Sequence, residues 1–155
     1  MNETKIISEK TVLKGELFDV KKLALVLPTG LKRIHYVAER IPIVSVIPVT
    51  DRCEIYLVSQ YRYLLKKNML EAVAGHIEKN ESPLTAAKRE LREEAGITAV
   101  QWEELARTET GASAFRSKVH VFLAKGLEIG KQEPTEEEKI VVNKMPLSDA
   151  VKMVM

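Results

Sequence analysis

The chain has 155 residues, of which 45% are hydrophobic and 30% charged, and a net charge of +2. This composition suits one folded domain and excludes a disordered or fibrous protein. The longest apolar runs fall far short of the roughly 20 residues that cross a bilayer, and the polar N-terminus lacks the apolar run of a signal peptide. The lone Cys53 excludes an intramolecular disulfide and a cysteine-based metal cluster. We therefore expect one cytoplasmic domain over residues 1–155, with no membrane partner.

The first half of the chain has the composition of β-strands. Residues 11–26 mix β-branched, apolar and polar residues, and residues 28–30 (Pro-Thr-Gly) predict a turn. Residues 41–49 form a continuous apolar run of strand length, which is typical of a buried central strand. Further strands are expected at 31–39, at 53–63 and, as a short strand or loop, at 69–75.

A helix is predicted from Ser82 to Gly96. Ser82 suits the N-cap, Pro83 suits the first turn, and Gly96 suits the C-terminal stop. Apolar residues recur at helical spacing, at Leu84, Ala87, Leu91 and Ala95.

The remaining elements alternate strands with a charged loop and a last helix. Strands are predicted at 98–110 and 117–129. An acidic loop then runs into a strand over residues 133–142, and the chain ends in a helix capped at Ser148. Strands surrounding two helices predict an α+β fold. The sequence has no basic stripe, so no nucleic-acid partner is expected.

Two glutamates of the predicted helix point to metal chemistry. Glu90 and Glu94 are four residues apart and so stack one turn apart beside the apolar stripe. Two bare carboxylates there would repel each other and resist burial. A hard divalent cation such as Mg²⁺ removes both problems, because carboxylate oxygens are its preferred protein ligands. The alternative is a solvated helix face with ion pairs such as Arg89 with Glu93.

A longer pattern surrounds this pair: Gly-x5-Glu-x7-Arg-Glu-apolar-x-Glu-Glu-x-Gly-apolar. Its fixed positions are Gly75, Glu81, Arg89, Glu90, Glu93, Glu94 and Gly96. The pattern resembles the complete Nudix box. A weaker similarity to the ADP-ribose pyrophosphatase branch of that family covers most of the chain, including LVSQYRY and LEAVAG before and into the box and EEEKIVVNKMPLSDAV after it.

The resemblance implies a fold and a reaction. The fold is the Nudix fold, with a mixed β-sheet sandwiched between α-helices. The reaction is Mg²⁺-dependent hydrolysis of the pyrophosphate bond of a nucleoside diphosphate sugar such as ADP-ribose, with Mn²⁺ as a substitute metal. Its products are a nucleoside monophosphate and a sugar phosphate. Two alternatives remain open: a Nudix hydrolase of nucleoside triphosphates or capped RNA, and a non-catalytic nucleotide-binding regulatory module on the same fold.

The resemblance also assigns roles within the box. The metal ligands are Glu90 and Glu94, with Glu93 in some metal arrangements and the backbone carbonyl of Ala74 just before the box. Arg89 orients a box glutamate. The remaining fixed positions of the box, Gly75, Glu81 and Gly96, are structural.

The base that takes the proton of the attacking water is expected on the acidic loop. The four candidate residues are Glu133, Glu136, Glu137 and Glu138. Similarity to the family's acidic segment favours Glu136, with Glu138 nearby. Glu93 is the alternative if no loop glutamate serves, and a plain acidic surface loop is the alternative to any role.

Outside the box, the resemblance points to three substrate-binding residues and to a homodimer. Arg40 and Arg62 match phosphate- or ribose-binding arginines, and Phe18 matches an aromatic residue that stacks on adenine. Exposed strand-edge arginines and a core phenylalanine are the alternatives. Residues 1–40 are expected to be N-terminal strands that pair with a second subunit, the alternative being a hairpin folded on its own subunit.

Overall fold

The computed structural model describes residues 3–111, 113–133 and 139–154. The chain divides into two compact units. The first contains Met1–Pro42 and Thr108–Lys118, and the second contains Ile43–Arg107 and Val119–Met155.

The first unit is an antiparallel arrangement of three strands. Strand β1 (Lys5–Lys14) pairs with β2 (Phe18–Val26), and β2 pairs with β3 (Lys32–Arg40). The predicted turn connects β2 to β3, with Gly30 at φ 81°. Strand β1 begins earlier than the predicted strand, because its N-terminal half pairs with β2 as far as Val26. Every residue of β1 is exposed.

The central strand of the second unit is β4 (Ile43–Pro48). It lies between β9 (Phe115–Ile129), to which it is parallel, and β7 (Val73–His76), to which it is antiparallel. Strand β8 (Ile97–Thr110) also pairs with β9. The expected buried central strand is therefore present, with Val44 and Val46 fully buried.

A second sheet of this unit has the order β10-β5-β6. It consists of β5 (Glu54–Arg62), β6 (Lys67–Glu71) and β10 (Val141–Pro146). The segment expected to form one short strand or loop at 69–75 thus contributes to two strands, β6 and β7, that belong to different sheets.

Helix α1 (Pro83–Ala95) begins and ends as predicted. The Ser82 hydroxyl accepts a hydrogen bond from the Thr85 amide at 3.1 Å, and Gly96 adopts the left-handed conformation at φ 65°. Leu84 is an exception to the predicted apolar stripe, since it is 37% exposed. The helix packs against β7, β4 and β5, and its buried arc is shifted toward Ala86, Ala87 and Glu94.

Helix α2 (Leu147–Val154) begins two residues earlier than a helix capped at Ser148 would. The predicted cap at Ser148 is wrong because Ser148 lies inside the helix. The amide of Leu147 donates to the Cys53 carbonyl at 2.9 Å, which fixes the start of the helix against the neighbouring turn. In the part of the chain that is described, no helix is long and apolar enough to cross a membrane.

Candidate active site

The site is built on the face of α1 that packs against the sheet. Glu94 is only 8% exposed, and the Glu90 side chain is 12% exposed. Both carboxylates therefore lie within the buried arc of the helix rather than beside it. Burial of charged groups is costly unless they are paired or bound to a metal.

Arg89 links the carboxylates of this site. Its Nε and Nη2 donate to the two carboxylate oxygens of Glu81, both at 3.0 Å. Its Nη1 donates to Glu90 Oε1 at 2.7 Å and to Glu93 Oε2 at 3.1 Å. Nη2 also donates to the His76 carbonyl at 2.9 Å. One guanidinium thus meets three carboxylates, and it ties the loop before the helix to the helix itself.

The pKa values of these groups shift in different directions. Hydrogen bonding to Arg89 holds the pKa of the Glu81 carboxyl below its usual value. The same contacts, that with Glu81 above all, raise the pKa of Arg89. Burial raises the pKa of Glu90, and the negative charges of Glu93 and Glu81 add to that rise against the opposing effect of Arg89. By formal charge, three carboxylates here face the single positive charge of Arg89.

Strand β7 approaches the two helix carboxylates closely. A Cβ atom at Gly75 would lie 1.9 Å from the Glu90 carboxylate, so any larger residue would displace that carboxylate from its present position. The Ala74 amide donates to Glu94 Oε2 at 3.2 Å. The observed contact is made by the Ala74 amide, and the role of the Ala74 carbonyl as a metal ligand stays a prediction.

The donor set fits a divalent cation. Carboxylate oxygens gathered beside Gly75, with more negative than positive charge, suit a hard cation such as Mg²⁺. Among the described residues, no three His, Cys, Asp or Glu side chains already converge as a ligand group. Arg89 Nη1 instead lies between the carboxylates of Glu90 and Glu93.

The C-terminal end of α1 contacts a segment that the sequence patterns did not single out. Residues 130–133, here called the capping segment, donate hydrogen bonds to the carbonyls of Glu93, Glu94 and Gly96. The only local signal was Gly130, a common turn residue. These contacts join residues more than thirty positions apart, which sequence periodicity does not register.

Of the four candidate base residues, only one lies within the described part of the chain. Glu136, Glu137 and Glu138 lie outside the described residues. Glu133 is described, and its carboxylate lies 3.6 Å from Arg92 Nε in an exposed ion pair. Glu133 therefore contacts the C-terminal end of α1 through both its amide and its side chain.

Two of the three predicted substrate-binding residues lie together, and the third lies elsewhere. Phe18, 44% exposed, and Arg40 line a cavity of about 480 Å³ in the first unit. Arg62 belongs to the second unit, where its Nε and Nη2 form a forked pair with the Glu71 carboxylate. The forked pair lowers the pKa of Glu71. Phe18 and Arg40 are thus brought together, and Arg62 is not part of that cavity.

The comparisons with known proteins agree with one another on the family. The NUDIX domain model matches residues 39–154. An ADP-ribose pyrophosphatase of Bacillus subtilis is 35% identical, covering 97% of this chain and 85% of that protein. A methanol dehydrogenase activator of Bacillus methanolicus is 31% identical over the same shares. A crystal structure of an ADP compounds hydrolase superposes with a TM-score of 0.84 at 26% identity, covering 98% of this chain and 83% of that one.

Fold, site and relatives together define an enzyme that hydrolyses pyrophosphate linkages. The chain belongs to the Nudix family, as a pyrophosphohydrolase similar to the ADP-ribose pyrophosphatases. The predicted family and the α+β Nudix fold are confirmed. Enzymes of this family generally use a divalent metal ion.

Proposed function

We propose that this protein is a cytoplasmic enzyme that hydrolyses the pyrophosphate bond of a nucleoside diphosphate sugar, with ADP-ribose as the first substrate. The products are a nucleoside monophosphate and a sugar phosphate. The observation that carries the proposal is the cluster of Arg89 with Glu81, Glu90 and Glu93 beside the buried Glu94. The 35% identity to a relative named ADP-ribose pyrophosphatase supports the choice of substrate.

The proposed metal is Mg²⁺, with Mn²⁺ as a substitute. Glu90, Glu93 and Glu94 would hold it, together with the backbone carbonyl of Ala74. When bound, such an ion neutralises pyrophosphate charge and lowers the pKa of a coordinated water. The fit rests on the carboxylates of Glu81, Glu90 and Glu93, which face the single positive charge of Arg89.

The protein's own residues supply position and proton transfer. Arg89 keeps the glutamates at fixed places by holding Glu81 and the His76 carbonyl as well. Gly75 allows the strand to approach the Glu90 carboxylate. Glu136, with Glu138 nearby, is the proposed base that accepts the proton of the attacking water.

Substrate binding is proposed for Phe18, Arg40 and Arg62. Phe18 offers an exposed aromatic face for a base, and Arg40 shares its cavity, where its positive charge suits a phosphate. Arg62 is held in orientation by its forked pair with Glu71. Its guanidinium is thereby preorganised for a second anionic or hydroxyl partner.

A substrate panel tests the proposed reaction. Purified protein with Mg²⁺ is expected to release a nucleoside monophosphate from ADP-ribose with a higher kcat/KM than from nucleoside triphosphates or capped RNA. Product analysis by chromatography measures this. A preference of ten-fold or more for triphosphates would overturn the substrate. No hydrolysis of any compound would favour a non-catalytic regulator, the kind of role that the name of the Bacillus methanolicus relative suggests.

A homodimer is the proposed assembly. The first unit carries exposed apolar side chains along β1 and the turn after it, among them Ile6, Ile7, Val12, Leu13 and Leu17. Exposed apolar side chains in this number are typical of a surface that a partner covers. We expect light scattering at micromolar concentration to return twice the chain mass of 17.5 kDa. Exchange of Ile7 and Leu13 for glutamate should shift the mass toward one chain. A wild-type mass of one chain would remove the dimer.

A further inference from the structure

The last turn of α1 is capped by protein groups rather than left open. Helices end with backbone carbonyls that have no partner within the helix. Here the Glu133 amide donates to the Glu93 carbonyl at 3.1 Å, and the Gly130 amide donates to the Gly96 carbonyl at 2.6 Å. Between them, Gln132 Nε2 donates to the Glu94 carbonyl at 2.5 Å. The capping segment thus holds the backbone of two proposed metal ligands, Glu93 and Glu94.

Gly96 makes this approach possible. A Cβ atom there would lie 2.6 Å from the Gln132 backbone nitrogen and 2.8 Å from the Lys131 carbonyl carbon. Because both are backbone atoms, no side-chain movement could relieve the clash. The glycine that ends the helix therefore serves two purposes: it adopts a positive φ, and it admits the capping segment to the helix end.

Gln132 reaches a second backbone group. Its Nε2 lies 3.5 Å from the Ile140 carbonyl, at the limit of a hydrogen bond. A primary amide carries two N–H donors, so one side chain can serve both carbonyls. In sequence, Gln132 precedes the acidic stretch 134–138 and Ile140 follows it. Both flanks of that stretch therefore meet at the amide that also holds the Glu94 backbone.

We propose that Gln132 is a positioning residue, which fixes the flanks of the acidic stretch to the helix that carries the metal-site carboxylates. The proposal rests on the proposed function for its catalytic consequence. Gln132 touches neither metal nor substrate in this role. It acts by fixing the position of the segment that carries the proposed base relative to Glu94.

The test compares Gln132→Leu with Gln101→Leu. Leucine keeps a similar size and removes the N–H donors, and Gln101 is an exposed residue of β8 that serves as the matched control. We expect amide hydrogen exchange at Gly130 and Glu133 to quicken at least ten-fold in Gln132→Leu only. We also expect kcat to fall by about ten-fold, while KM and Mg²⁺ affinity change by less than about two-fold.

A double variant separates positioning from general damage. In the Glu136→Gln background, Gln132→Leu should lower kcat by little more, because both changes act on the same step. Fully additive losses, a parallel loss of Mg²⁺ affinity, or unchanged kcat and exchange would each overturn the proposal. If Gln132→Leu does not fold, Gln132→Asn, whose shorter amide cannot reach both carbonyls, takes its place. If the wild type hydrolyses nothing, the proposed function fails, while hydrogen exchange still tests whether Gln132 holds the capping segment to the helix.

Discussion

Replacement of Glu94 by glutamine is expected to lower kcat/KM by about 10²- to 10³-fold at moderate Mg²⁺, since metal stabilisation of transition-state charge contributes several kcal/mol. The Glu94 carboxylate is 8% exposed and accepts a hydrogen bond from the Ala74 amide. A glutamine oxygen can still accept that bond. The substitution therefore removes mainly one negative charge from the proposed metal site.

Mg²⁺ affinity distinguishes this effect from a packing defect. Calorimetric titration should show weaker binding in Glu94→Gln, and activity should recover only partly as Mg²⁺ is raised. Glu128→Gln is the matched control, because Glu128 is an exposed residue of β9. An unchanged Mg²⁺ affinity together with full activity would remove Glu94 from the metal site.

Replacement of Glu136 by glutamine is expected to lower kcat by about 10²- to 10⁴-fold, the usual contribution of a general base. Mg²⁺ affinity should stay nearly intact, because the proposed metal ligands lie on α1 and β7. The variant therefore has the opposite signature to Glu94→Gln. Steady-state kinetics and a metal titration on the same preparations measure both quantities.

The neighbouring glutamates provide the register controls. If Glu136→Gln keeps its kcat while Glu133→Gln or Glu138→Gln loses it, the base has been assigned to the wrong position in the same segment. Glu133 is the less favoured of these, since its carboxylate lies near Arg92. If all the loop glutamates, Glu137 included, prove dispensable, the base must lie in the box, and Glu93 is the first residue to replace.

The sequence predicted helix α1 because its signals are local. Ser82 and Gly96 mark its two ends, and both contribute the predicted cap geometry. The Glu90 and Glu94 pair follows from helical spacing alone. Their burial was underestimated, since the arc of α1 that meets the sheet is centred nearer to Glu94 than to Leu84.

The contacts that depend on chain topology could not be predicted in this way. The capping of Glu94 by Gln132 joins positions 38 residues apart, and no periodic pattern encodes such a contact. The N-terminal half of β1 is a strand because β2 supplies hydrogen-bond partners along its length. Likewise, a match to family arginines did not reveal that Arg40 and Arg62 belong to different compact units.

Arg89 has a practical consequence for handling the protein. Because its guanidinium bridges Glu81, Glu90 and Glu93, the site carries an internal counter-charge. Treatment with a chelator should therefore leave a folded chain that can be stored and reloaded. Dissociation constants for different cations can then be compared from one ordered starting material. Each of those constants is then measured against the same starting set of Arg89 ion pairs.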